Sequence, residues 1–76
     1  MNRRRREKLA QAGNMLERAS DILMSVIDEE TYALDNTPEN LQGSEAYSHR
    51  EDVIDSLEDA LSDIEHAGEQ ISAAGE

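Results

Sequence analysis

The chain has 76 residues, no cysteine, and 18 acidic residues against seven basic ones, giving a formal net charge of −11. That length allows one thin domain, because small chains bury a low fraction of their surface and rarely stabilise a core without disulfides, metal or association. Disulfides and thiolate metal sites are excluded, and no apolar run approaches the roughly 20 residues that span a bilayer.

The charge is unevenly placed. Arg3, Arg4, Arg5, Arg6 and Lys8 are five of the seven basic residues, and the chain beyond them holds 17 acids against Arg18 and Arg50, a net of −15. Such a body repels bulk nucleic acid and anionic membrane surfaces alike. Leu9 and Ala10 lead into Gln11, Gly13 and Asn14, so the basic start has no signal-peptide core behind it. The expected location is the cytoplasm. A chain with one third of its residues charged can be disordered, but periodicity argues otherwise.

From Leu9, apolar or small residues recur at 9, 12, 16, 19, 23 and 26, with Met15, Ile22 and Ile27 widening the seam. Gly13 and Asn14 are tolerable inside so strong a pattern. The pattern predicts a first helix from about Arg4 to about Leu34, roughly 45 Å long at helical rise. Residues 35–44 form the connection. Asp35-Asn36 is a turn pair. Thr37 before Pro38 and Glu39 reads as an N-cap, a helix-starting proline and an acid at the positive end of a dipole. Gly43 is expected to end that single turn in a left-handed conformation, with Leu41 and Tyr47 folded back over the end of the helix pair.

Ser44 is the expected cap of the second helix, although Ser48-His49-Arg50-Glu51 also has capping-box spacing. From there Ile54, Leu57, Leu61, Ile64, Gly68 and Ile71 keep a heptad repeat to about Ala73. Val53, Ala60, Ala67 and Ala74 share one flanking position, which permits close approach by a neighbouring helix. The reading is all-α: one long antiparallel helical hairpin, residues 1–76, with helix 1 at about 4–34 and helix 2 at about 45–73. A lone hairpin leaves its seams wet, so dimerisation into a four-helix bundle is expected. Leu16, Leu23, Ile27, Ile54, Leu57, Leu61 and Ile64 are the candidate self-association seam.

No catalytic residue, cofactor site or metal site is assigned. There is no nucleophile motif and no glycine-rich phosphate loop, and a catalytic carboxylate pair needs a pocket that separates two pKa values. Only Glu30 is placed to turn inward. Di-metal carboxylate bundles use inward Glu-x-x-His motifs. Here Asp63-Ile64-Glu65-His66 is the nearest approach, and since Ile64 is on the seam, Asp63 and His66 point outward. Glu45 and His49 have chelating spacing that surface residues also show by chance.

Two charged features remain. Arg3, Arg4, Arg5 and Arg6 read as a frayed, solubilising end or, with Lys8, as a partner of Glu65, Glu69 and Glu76 across the hairpin; the other readings are nucleic-acid binding and a weak phosphate or membrane-surface contact. The run is too short, and lacks the Asn and Ala placement, to read base edges. Glu51, Asp52, Asp55, Glu58, Asp59, Asp63, Glu65 and Glu69 share a helical stretch without Lys or Arg. Eight charges over about 27 Å of helix give about one per 3.4 Å, the axial charge spacing of one DNA strand. The plain reading is a solvent coat; the sharper one is mimicry of nucleic acid.

The run Asp35-Asn36-Thr37-Pro38-Glu39-Asn40-Leu41-Gln42-Gly43-Ser44-Glu45, followed by an acidic helix with Asp55-Ser56-Leu57-Glu58-Asp59-Ala60, resembles small uncharacterised acidic helical proteins of bacteriophages and prophages. Those carry a basic helical first half, a D-N-x-P-E-x-L-Q connection and an acidic second helix. Thr37 stands where an aliphatic residue is usual, which would pass the anchoring role to Leu41. The resemblance implies a bacterial host cytoplasm, and no activity.

The functional expectation is a non-enzymatic protein-binding module. Its acidic face, Glu51, Asp52, Asp55, Glu58, Asp59, Asp63 and Glu69, would occupy a basic, nucleic-acid-binding host protein. The first alternative is a self-assembling structural protein with a solvent-coat face. The second is weak nucleic-acid binding through Arg3 to Arg6.

Overall fold

The computed structural model describes residues 1–76 as an antiparallel helical hairpin. Helix α1 spans Arg3–Asp35 and α2 spans Glu45–Ala74, joined by a single 3-10 turn at Glu39–Leu41. The hairpin is a rod of 60 × 14 × 13 Å. No helix is long and apolar enough to cross a membrane.

Local chemistry sets the helix ends. Asn2 caps α1, its side-chain oxygen accepting from the Arg5 N–H at 2.9 Å. At the other end the Asn36 side chain donates to the Tyr32 carbonyl at 2.7 Å, and the Thr37 hydroxyl donates to the Ala33 carbonyl at 2.9 Å. The Thr37 hydroxyl satisfies a carbonyl left without a backbone donor in the last turn, since the Thr37 N–H goes to Leu34, whereas the Tyr32 carbonyl also accepts the Asn36 N–H at 3.1 Å. This corrects the expectation for Thr37. It closes the helix behind it rather than capping the turn ahead, and Pro38 occupies the cap position of that turn without a side-chain bond.

Gly43 is corrected as well, since no residue of the chain has positive φ. The 3-10 turn closes through Leu41 N–H to Pro38 O at 2.9 Å, and Ser44 N–H reaches Leu41 O at 3.1 Å. With those groups paired, a left-handed cap has nothing left to satisfy. Ser44 then caps α2, accepting from the Tyr47 N–H at 3.2 Å. That places the start at Glu45 and leaves Ser48 inside the helix. Gly13 and Asn14 do not interrupt α1.

The seam is formed within the chain. Leu16, Leu23, Ile27, Leu57, Leu61 and Ile64 are half-buried, and Ile54 is buried at 8% exposure. The three on α1 face the four on α2, with Leu9, Ala12, Ala19 and Ile71 filling intervening turns and Ala60 and Ala67 half-buried at the seam's edge. Ser20, small enough for α2 to pass close, is the one other buried residue. Two buried residues in 76 is a thin interior, and each helix keeps most of its circumference in water. Leu41 stays about half exposed, lying beside Ala33, Pro38 and Tyr47 without sealing the hairpin end.

Candidate functional site

The pairing of helix edges divides the surface into two unlike faces. Along one side of the hairpin a groove runs between Glu17, Asp21 and Met24 of α1 and Glu65, Glu69 and Ser72 of α2. Gly13, Ser20 and Gly68 keep its floor low. Glu58 and Glu51 lie one and two heptads before Glu65, and Asp28 one heptad after Asp21, so the same edges carry acids toward the loop end. Both helices therefore rim this groove with carboxylates, one row from each.

The sequence-predicted acids are all exposed, but they do not form one row. Glu51, Glu58 and Glu69 belong to the groove edge. Asp52, Asp55, Asp59 and Asp63 are spread across the back of α2, Asp52 and Asp59 opposite the seam made by Ile54, Leu57 and Leu61, Asp55 at the heptad position of Glu69, and Asp63 toward the edge of Ala60 and Ala67. A partner on the back meets four charges over about 17 Å of helix, sparser than the spacing of a nucleic-acid strand. The denser display is the groove, where α1 contributes Glu17, Asp21 and Asp28. Sequence reasoning missed those three. Their spacing of four and seven residues along one edge was visible, but their neighbours across the groove were not.

Ion pairing leaves these charges uncompensated. The chain has two salt bridges, Arg3 to Glu7 at 3.1 Å and Arg50 to Glu30 at 3.0 Å. Neither uses an acid of α2. Glu30 does turn inward, half-buried, and Arg50 crosses from α2 to hold it. This clips the loop ends of the two helices together; being partly exposed, it contributes at most about 1 kcal/mol. The expected pairing of Arg3 to Lys8 with Glu65, Glu69 and Glu76 is not made. Arg3 turns to Glu7 on its own helix, while Arg6 shares a groove with Glu76 without an ion pair. Arg3, Arg4, Arg5 and Arg6 are exposed and helical from Arg3 onward.

The other side of the hairpin is almost uncharged along its middle. Ala12, Ala19, Val26 and Ala33 share one heptad position on α1, and Ala46, Val53, Ala60, Ala67 and Ala74 share one on α2. The hollow under the loop brings Ala33 of the first set against Ala46 of the second, which fixes these two edges on the same side. Met15 and Ile22 stand beside them as a ridge, 65% and 63% exposed.

No family model, curated protein or solved structure matches this chain. No three His, Cys, Asp or Glu side chains converge on a point where a metal ion would sit. Glu45, His49, Asp63 and His66 are all exposed.

Proposed function

We propose that this protein is a non-enzymatic binding module that presents acidic surface to a basic, nucleic-acid-binding protein. One observation carries the reading: every acid of α2 is free of intramolecular ion pairing, although Arg3 to Lys8 lie on the same hairpin. Within α2 the like-charged pairs 51/55, 55/59 and 59/63 sit at i, i+4 spacing, and each such pair destabilises a helix by a few tenths of a kcal/mol. Folding gains nothing from that arrangement, whereas a basic partner would recover the cost. Carboxylate rows from two helices along one groove present paired tracks of negative charge, the feature by which a nucleic-acid-binding cleft recognises its ligand. The likeness to phage proteins makes a bacterial host protein the natural candidate.

The test is affinity capture from nuclease-treated bacterial lysate by three forms of the protein: unaltered, Asp55, Asp59 and Asp63 all→Asn, and Glu17, Glu65 and Glu69 all→Gln. Capture of one basic protein, released by salt and by added duplex DNA, and lost in the groove variant while helicity survives, supports the proposal. Equal capture by all three forms overturns it.

A second reading has its own observation. With Ile54 the one buried apolar side chain, the chain fits a structural protein whose important contact is with itself, the acids serving as its solvent coat. Recovery of only the untagged protein would favour that reading.

A further inference from the structure

We infer that the uncharged side of the hairpin is covered by a second copy of this chain, the Met15–Ile22 ridge of each copy packing on the alanine edge of α2 in the other. Leu16, Leu23, Ile27, Ile54, Leu57, Leu61 and Ile64 lie between the chain's own helices, Ile54 buried and the other six half-buried, and the strongly exposed Met15 and Ile22 stand outside them. The surface left over is a different one.

Three observations select a second copy as the occupant. The first is area. A compact monomer of this mass exposes about 4,700 Å² by the usual scaling, whereas the hairpin exposes 5940 Å². Burying the excess on each of two copies would remove about 2,500 Å² in all, within the range of permanent homodimers.

The second is shape. Bulky side chains stand on α1, Met15 and Ile22, while the matching edge of α2 offers Ala60, Ala67 and Ala74. One face thus carries both a ridge and the shallow edge that receives it, as a two-fold contact requires. Alanine at successive heptads lets two helix backbones approach closely.

The third is charge. In a chain of net charge −11, the strip Met15, Ile22, Val26, Val53, Ala60 and Ala67 carries none, and the carboxylate-rimmed groove lies on the opposite side. An uncharged strip is the part of such a surface that another acidic copy can approach. A basic partner would be drawn to the groove instead.

Placing the ridge of α1 over the partner copy's α2 requires a two-fold axis along the rod, so both loops lie at one end. The dimer is then a four-helix bundle with its two acidic grooves facing outward in opposite directions.

Sedimentation of the whole chain is the first test, with a dimer of about 17 kDa expected from the 8.5 kDa monomer. Ile22→Glu should give the monomer mass or raise the dissociation constant at least tenfold. Met24→Glu, an exposed apolar residue on the groove side, should leave the dimer intact. If Ile22→Glu fails to fold, Met15→Glu, at a position 65% exposed, and the concentration dependence of the unaltered protein's Tm report the same contact, because a dimer melts higher as it is concentrated.

Orientation is read by labelling Gly43→Cys, where an added side chain points into open space in a chain without other cysteines. A label-to-label distance within about 30 Å is expected for helices packed side by side. A monomer at high concentration, a dimer lost with Met24→Glu but not Ile22→Glu, or labels separated by about the 60 Å length of the rod would each overturn the proposal.

Discussion

Replacing Asp55, Asp59 and Asp63 together with asparagine should make the protein more stable. The three residues are exposed on the back of α2 and take part in neither salt bridge, so no favourable contact is lost. Their removal eliminates the like-charge pairs 51/55, 55/59 and 59/63. At a few tenths of a kcal/mol each, the gain is about 1 kcal/mol, and Asn and Asp have similar helix propensity. The net charge falls from −11 to −8 when three carboxylates of the sequence are neutralised, which also relieves repulsion along the rod. For a domain of this size, about 1 kcal/mol corresponds to a Tm rise of about 4–8 °C. Thermal melts followed by circular dichroism at low salt would measure it. Salt supplies the internal control, because screening shortens to about 3 Å at 1 M and the difference between variant and unaltered protein should then vanish. A Tm that is unchanged or lower at low salt would refute the reasoning: the acids would then cost folding nothing, and the main support for an external basic partner would go with that cost. A gain that persists at high salt would point to helix propensity instead of charge.

Three further outcomes follow from particular contacts. Ile54→Ala should cost about 2–3 kcal/mol in urea unfolding, the low end for a buried aliphatic truncation because the interior is shallow enough to collapse onto the gap; a loss under 1 kcal/mol would show that the seam does not depend on it. Ser44→Ala should cost about 1 kcal/mol through the lost cap on α2, whereas Ser48→Ala, inside the helix, should be close to neutral; the reverse order in thermal melts would move the helix start by one turn. The whole protein should not shift duplex DNA in a mobility assay near physiological salt, because the body behind Arg3 to Arg6 carries a net of −15. A shift that disappears on deleting residues 1–8 would instead assign nucleic-acid binding to the arginines.

The two helices were legible because their signals are local. The heptads from Leu9 and from Ile54, together with the Ser44 cap, placed each helix end within one residue of Arg3–Asp35 and Glu45–Ala74. Thr37 misled for a physical reason: a hydroxyl before proline can serve the turn ahead or the carbonyls behind, and only the path of the chain past Ala33 decides. Gly43 misled likewise, since a 3-10 turn that closes on its own carbonyls needs no left-handed residue. The larger gap concerned the surface. A seam read on one helix specifies only which of its residues face inward; the edges pair only when both helices are read together, where helix handedness and the antiparallel direction fix which edge of α1 lies beside which edge of α2. That pairing makes Glu17 and Asp21 neighbours of Glu65 and Glu69. It also splits the acids of α2 between groove and back, and gathers the alanines of both helices on the remaining side. Sequence spacing alone treats those acids as one row.

The opposed faces give the two proposals opposite responses to salt, so the failure of one cannot be mistaken for the failure of the other. A basic protein held along the carboxylate groove loses attraction as ions screen it, and its affinity should fall with ionic strength. Two copies meeting through Met15, Ile22 and the alanine edge gain, because each brings a net charge of −11 to the encounter and the contact itself is uncharged. Screening their mutual repulsion should tighten the dimer over the same range. Sedimentation of the protein alone, between low and moderate salt, isolates the second effect. Dissociation that increases with salt would mean the copies are held by charge, and would transfer the contact from the alanine side to Arg3–Arg6 and the acids of α2. Association that increases with salt, in a form whose groove acids have been neutralised as Glu17, Glu65 and Glu69 all→Gln, would separate the surfaces completely. That variant should lose the basic partner and keep its own.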